Sequence, residues 1–175
     1  LQDVVALVIS APNEEERKDT VATVAAIAKR AAEPEQRTAA VIAALTTAPD
    51  PESKAALLLA LGQIGDNTGL PTLHEALKDE TSILKTAAIQ ALGAWPTPAP
   101  KDDLLAVAKE IPAAPEGALA IGGYIRLLGM PSDRCVEDTV KLYQEALTVA
   151  ANTPEKEQAI AGLGALKHAA ALPVL

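Results

Sequence analysis

Phenylalanine is missing from this chain of 175 residues, and its aromatic set is Trp95, Tyr124 and Tyr143. Sheets draw on aromatic and β-branched residues, so the shortage argues against β-structure. Cysteine is represented by Cys135 alone. That excludes an internal disulfide and a cysteine-rich metal site, and leaves the compartment unreadable. Cations are scarce too, with 15 Lys and Arg against 23 Asp and Glu, for a net charge of −8. Nucleic acid and anionic membranes both call for a cationic face, so neither is expected as a partner. No apolar run approaches the roughly 20 residues of a membrane span; the longest lies near Ala55–Leu61. No signal-peptide pattern is visible. The chain opens at Leu1, not at Met, and we expect it to be a piece of a longer protein.

What is present points to helix. Hydrophobic residues make up 49% of the chain and charged ones 22%, enough for a folded core and too apolar for disorder. Most of that apolar content is Ala and Leu, the strongest helix formers.

The chain also repeats itself. Ala60-Leu61-Gly62-Gln63-Ile64 has counterparts in Ala91-Leu92-Gly93-Ala94-Trp95, Leu127-Leu128-Gly129-Met130 and Gly162-Leu163-Gly164-Ala165-Leu166. The glycines Gly62, Gly93, Gly129 and Gly164 are 31, 36 and 35 residues apart, and Ala28 stands in a degenerate first copy. One residue before the glycine stand Ile27, Leu61, Leu92, Leu128 and Leu163; four before it, Val24, Leu58, Ile89, Ile125 and Ile160; five before it, Thr23, Leu57, Ala88, Tyr124 and Ala159. Apolar positions three and four apart share one helix face, so each unit carries the same buried stripe. Trp95 and Tyr124 fall in apolar columns and are expected in the core. Glycine costs about 1 kcal/mol in a helix, so its recurrence implies a close helix contact or a left-handed helix end.

Pro-Glu at Pro34, Pro51, Pro115 and Pro154 marks helix starts, with Asp50 and Thr153 as capping side chains. The pattern predicts helical pairs over 2–10 and 13–31, 34–47 and 51–64, 69–79 and 81–95, 101–110 and 115–129, and 133–150 and 154–168. No segment alternates with period two. The proline-rich stretch Pro96–Pro100 is a corner inside a repeat, and residues 1–175 form one domain.

Leu61-Gly62-Gln63-Ile64-Gly65-Asp66, followed by Gly69-Leu70-Pro71-Thr72-Leu73 and Ala76-Leu77, resembles the HEAT-like repeat signature, in which an inner helix ends in a Leu-Gly-x-Ile-Gly-Asp corner and the next outer helix opens with Leu-Pro-x-Leu. Leu163-Gly164-Ala165-Leu166 with Ala171-Leu172-Pro173-Val174-Leu175 matches it again, whereas Trp95-Pro96 and Met130-Pro131 depart from it. The resemblance implies an all-α fold: an α-solenoid of about five antiparallel hairpins in a right-handed superhelix, the second helix of each pair lining the concave face. It also implies a protein-interaction scaffold, although a minority of such proteins are enzymes, among them chromophore lyases and DNA glycosylases.

No set of residues carries chemistry convincingly. His74 and His168 lack ligand-spaced companions and are expected on exposed helix faces. Gly62, Gly65 and Gly69 follow no strand and precede no Gly-Lys-Ser/Thr, so they are no phosphate loop. Cys135 has no histidine near it, Asp102-Asp103 are helix-start acids, and the run Glu14–Asp19 is a solvated helix start. We therefore expect no catalysis, no metal and no cofactor. Two columns suit a partner better. Eight residues before the glycine stand Thr20, Lys54, Lys85, Ile121 and Lys156, and three before it stand Gln90 and Arg126. Lys54, Lys85, Gln90, Arg126 and Lys156 are the candidate protein-binding residues, placed to grip an acidic peptide. The reading is a non-catalytic scaffold that binds a protein or peptide partner, or another domain of the same protein, on the concave face. The alternative is a chromophore-lyase-like enzyme on the same scaffold.

Overall fold

The computed structural model describes residues 2–11 and 13–166. Among these residues there are ten α-helices and no strand. The chain divides into two compact units between Pro96 and Thr97, within the proline-rich corner. His168 and the motif copy Ala171–Leu175 lie outside the described residues.

The first unit holds three helical pairs: α1 (Gln2–Ser10) with α2 (Glu14–Ala28), α3 (Pro34–Thr47) with α4 (Pro51–Ile64), and α5 (Leu70–Leu77), opened by a 3-10 turn at Asn67–Gly69, with α6 (Ser82–Gly93). The second helices form one row, with α4 between α2 and α6. In the other row α1 rests on α3, and α3 on the 3-10 turn. One hairpin cannot hide its own stripe, and stacking closes it. Leu57, Leu58, Leu61, Leu73, Ile89, Leu92 and Trp95 are among the unit's buried side chains. Each such side chain contributes roughly 1.5–3 kcal/mol on leaving water.

The second unit holds α7 (Lys101–Glu110) with α8 (Pro115–Leu128), and α9 (Val136–Val149) with α10 (Thr153–Ala165). There α8 packs on α7, α9 and α10, around Leu104, Tyr124, Leu127, Tyr143 and Leu163.

The expected pairs are all present: α1, α3, α4 and α7 have the expected bounds, α2, α5, α6, α8 and α9 are shorter, and α10 begins one residue early at Thr153. On α10, Ile160, expected in the buried stripe, is 45% exposed. Helix α2 stops at Ala28, and α9 begins at Val136. The later start has a cause in Arg134, whose guanidinium donates to the Leu128 carbonyl at 3.2 Å and to the Ser132 hydroxyl at 3.0 Å. These bonds hold the preceding segment as a loop. Arg17 and Arg37 reach back over the same six residues, to the carbonyls of Ala11 at 3.3 Å and Ala31 at 2.9 Å.

The caps correct one expectation. Asp50 accepts from the Ser53 N–H at 2.7 Å and from its hydroxyl at 2.9 Å. In α10, however, Asn152 occupies the cap position without a side-chain bond, and Thr153 lies inside the helix. Asn13 supplies a further cap to α2, accepting from the Glu16 N–H at 2.9 Å.

The repeat glycines divide by role. A Cβ on Gly62 would lie 2.6 Å from Ala91 Cα, so α4 and α6 meet there backbone to backbone. The left-handed end belongs to Gly65 instead, at φ 68°, where a side chain would be strained. Asp66 then ties the corner together. It accepts from the Thr68 N–H at 3.1 Å and from the Thr68 hydroxyl at 2.9 Å, and Arg37 approaches it to 3.4 Å. Thr38 and Thr68 share a hydrogen bond of 2.7 Å.

Candidate interaction surface

Helices α2, α4 and α6 run side by side, so their free faces form one surface. Along α4 the residues Glu52, Ala55, Ala56, Leu59 and Gln63 recur at three- and four-residue spacing and share a stripe. With neighbouring faces of α2 and α6 they line a groove of ≈770 Å³. Its floor is apolar, made by Val21, Ala55, Ala56, Leu59, Ala91 and Ala94; its rim carries Glu14, Arg17, Lys18, Glu52, Gln63 and Gln90. Ile83 is 37% exposed at its edge. Alanines keep the floor flat, because nothing on them projects beyond a methyl group.

The rim charges balance. Lys18 Nζ lies 2.8 Å from Glu14 Oε1, one helical turn away. The Lys18 hydrogen bond holds the Glu14 carboxyl below the usual carboxylate range, and Glu14 raises Lys18 in return. Both side chains are well exposed, so the pair contributes little to stability. Among the described residues no three of His, Cys, Asp and Glu gather as a metal site would require. No described helix is long and apolar enough to cross a membrane.

The sequence candidates fall in different places. Gln90 lines the groove. Lys54 and Lys85 do not; they are half-buried in the first turns of α4 and α6. Lys54 bears on Asp79 in the corner before α6. The Thr81 backbone N–H is the largest cause of the lowered Asp79 pKa, and the Lys54 charge adds to it. In the second unit Arg126 is exposed and lines a smaller groove of ≈340 Å³ with Leu119, Gly122, Glu155 and Gln158. Lys156 is exposed in the first turn of α10, and Ile121, in the same column, is buried. Trp95 and Tyr124 are fully buried, as their columns predict, and Tyr124 has its phenol pKa raised by that burial. His74 is half-buried in the last turn of α5, not on an exposed face.

Leu59 and Gln63 are groove residues that the sequence did not single out. A signal for Leu59 existed, since it shares the column three before the glycine with Gln90 and Arg126. The column ten before the glycine is more telling. Its members Lys18, Glu52 and Ile83 all line the larger groove, and Leu119 and Pro154 the smaller.

Stacked antiparallel hairpins with a recurring glycine column define a helical repeat protein. The family described as HEAT repeats matches residues 38–120, which spans α4, the Asp66 corner, α5 and α6. Over those residues the chain is built of HEAT-like repeats, and the helical pairs on either side are consistent with the same plan. Repeats of this family generally act as protein-interaction scaffolds and are typically non-enzymatic. No curated protein matches the chain.

Proposed function

We propose that this chain is a non-catalytic scaffold module that holds a protein or peptide partner, or another domain of its own protein, along the inner-helix face. The observation that carries this reading is the groove across α2, α4 and α6, with its apolar floor and its rim of charges and amides. A floor of that kind desolvates apolar side chains, while Gln63 and Gln90 can bond a partner's polar groups. Lys54 and Lys85 add positive charge to the same helices, and in the second unit Lys156 is their counterpart and Arg126 that of Gln90. The common register of the glycine columns supports treating residues 1–175 as one repeat domain. The acidic composition weighs against a nucleic-acid partner, and no cofactor enters the reading. No observation favours lyase chemistry. The carboxylates of the groove lining are Glu14, already paired with Lys18, and Glu52, and no aromatic ring faces them.

The test is selection of peptides from a random library on the full chain, followed by titration against variants. Leu59→Arg should weaken binding by about tenfold or more, since it places a charge on the apolar floor. Gln90→Ala should have a smaller effect. Lys54→Ala and Lys85→Ala should weaken acidic peptides most at low salt. Peptides whose affinity ignores both Leu59→Arg and Gln90→Ala would remove the surface assignment.

A further inference from the structure

The groove across α2, α4 and α6 is chemically uneven along its length. Gly62 and Ala91 meet, each two residues from the last residue of its helix, so α4 and α6 end side by side. Glu14, Arg17, Lys18 and Glu52 line the groove near the starts of their helices, and Gln63 and Gln90 line it near the ends. Between them the lining is Val21, Ala55, Ala56 and Leu59, with no hydrogen-bonding side chain.

That distribution selects the shape of an occupant. An extended peptide brings a backbone N–H and C=O at every residue that must be paired. Over the middle of the groove it would find no partner, because the α4 backbone is bonded within its own helix and the side chains are apolar. A helix pairs its own backbone and brings only side chains to the floor. The floor runs from Glu52 to Gln63, a rise of roughly 16 Å, which is about three helical turns. Its alanines let a second helix axis approach to about 8 Å.

The two ends of the groove also differ in charge. At the start, Glu14 is paired with Lys18 at 2.8 Å, and Arg17 and Glu52 add one charge of each sign. At the other end, α4 and α6 have no basic residue in the last turn, and none follows in Gly65–Asn67 or Ala94–Pro96. The Arg37 charge near the α4 end is matched by Asp66. Each helix end carries about half a negative charge, and here two lie side by side with no cation in excess. Lys54 and Lys85, which would suit an acidic ligand, stand in the first turns of the same helices and do not line the groove. We propose that the occupant of this groove is an amphipathic helix of about three turns, with its apolar stripe on the alanine floor and a lysine or arginine at the end that lies over Gln63 and Gln90. This rests on the scaffold reading above and adds the chemistry of the partner. The amide oxygens of both glutamines can accept from that cation, and the net charge of −8 draws it in.

The experiment selects binders of the full chain from two peptide libraries of equal length and composition. One is fixed as helices by side-chain staples; the other carries a central proline that prevents a continuous helix. Binding to the Leu59→Arg variant serves as the counter-selection. Binders that depend on Leu59 should come from the helical library. They should carry apolar residues at three- and four-residue spacing and a Lys or Arg in the turn at one end. Replacing that cation by Glu in a selected peptide should weaken binding by about tenfold, and added salt should shrink the difference. Gln63→Lys combined with Gln90→Lys should reverse the preference, so that the Glu form binds tighter. Both positions are exposed, so helical circular dichroism should stay unchanged. Leu59-dependent binders drawn from the proline library would overturn this inference and leave the groove as an interaction surface. So would Leu59-dependent binders whose affinity does not respond to the end charge. Binders that ignore Leu59→Arg and Gln90→Ala alike, or no binders from either library, would overturn both readings.

Discussion

Glycine makes room in both units, but for different things. In the first unit Gly62 lets two inner helices touch, with Ala91 Cα, Cβ and O all under 3 Å from where a Cβ would stand. In the second unit Gly117 also meets backbone, that of Ile111 just before α8, but at Gly162, two residues before the repeat glycine, the Tyr143 ring fills the space, 2.5 Å from the same construction. At Gly62 the backbones of two inner helices come together with no side chain between them. The second unit uses both, with the Ile111 backbone against Gly117 and an aromatic from the outer helix α9 against Gly162. Gly62 and Gly162 therefore serve different contacts, Gly62 between neighbouring inner helices and Gly162 between the two helices of one pair.

The comparison can be pressed hardest at the leucine before each repeat glycine. Leu61 and Leu163 are both fully buried. Leu61→Ala should cost toward the upper end of about 2–5 kcal/mol, because α4 is held between α2 and α6 and its surroundings cannot collapse into the void. Leu163→Ala should fall toward the lower end of that range, because α10 has an open face at Ile160 and can shift inward. Urea midpoints at constant m-value measure both. Equal losses would mean that the two helices are equally confined.

The glycines themselves give the next effect. Gly62→Ala should destabilise by about 2–3 kcal/mol, since the obstacle includes the Ala91 backbone and no rotamer change relieves it. Gly162→Ala should cost about 1–2 kcal/mol, since the obstacle is a side chain. The double variant Gly162→Ala with Tyr143→Leu should recover part of the loss relative to Tyr143→Leu alone. No side-chain change at position 91 should rescue Gly62→Ala. The readout is a pair of double-mutant cycles in urea. Rescue at Gly62 would show that its contact is with a side chain after all.

These contrasts also mark how far the sequence could be read. Helix existence was legible because Pro-Glu starts and glycine corners punctuate a steady period of three and four, and the buried columns one and four before the glycine follow from it. Which glycine is pressed was not legible, because that depends on what stands opposite: alanine backbone for Gly62, open space for Gly164. The back-reaching arginines Arg17, Arg37 and Arg134 share no column, so no register reveals them. The candidate surface was half visible. The column of Gln90 and Arg126 does face the grooves, but Lys54, Lys85 and Lys156 of the lysine column line neither. Positive charge in a repeating slot suggested a ladder for a ligand; in the structure Lys54 and Lys85 are half-buried in the first turns of their helices and do not line the groove.

The smallest effect separates the helix caps, and its sign follows from protonation. Asp50 is held below the usual carboxylate range, first by the Ser53 N–H and then by the Ser53 hydroxyl. A carboxyl whose folded pKa lies below its unfolded one stabilises the fold fully above the unfolded value. It loses that contribution as pH falls through the folded value, because the folded state must then take up a proton against its hydrogen bonds. Asp50→Ala should therefore lower the urea midpoint near pH 7, and the gap to the parent chain should narrow as the buffer is taken down through the carboxylate range. Asp50→Asn should keep most of the capping without this pH dependence, since asparagine caps about as well as aspartate. At the matching position of the second unit Asn152 makes no capping bond, so Asn152→Ala should change the midpoint little at either pH. A comparable loss there would mean that α10 is capped in solution and begins in the same way as α4.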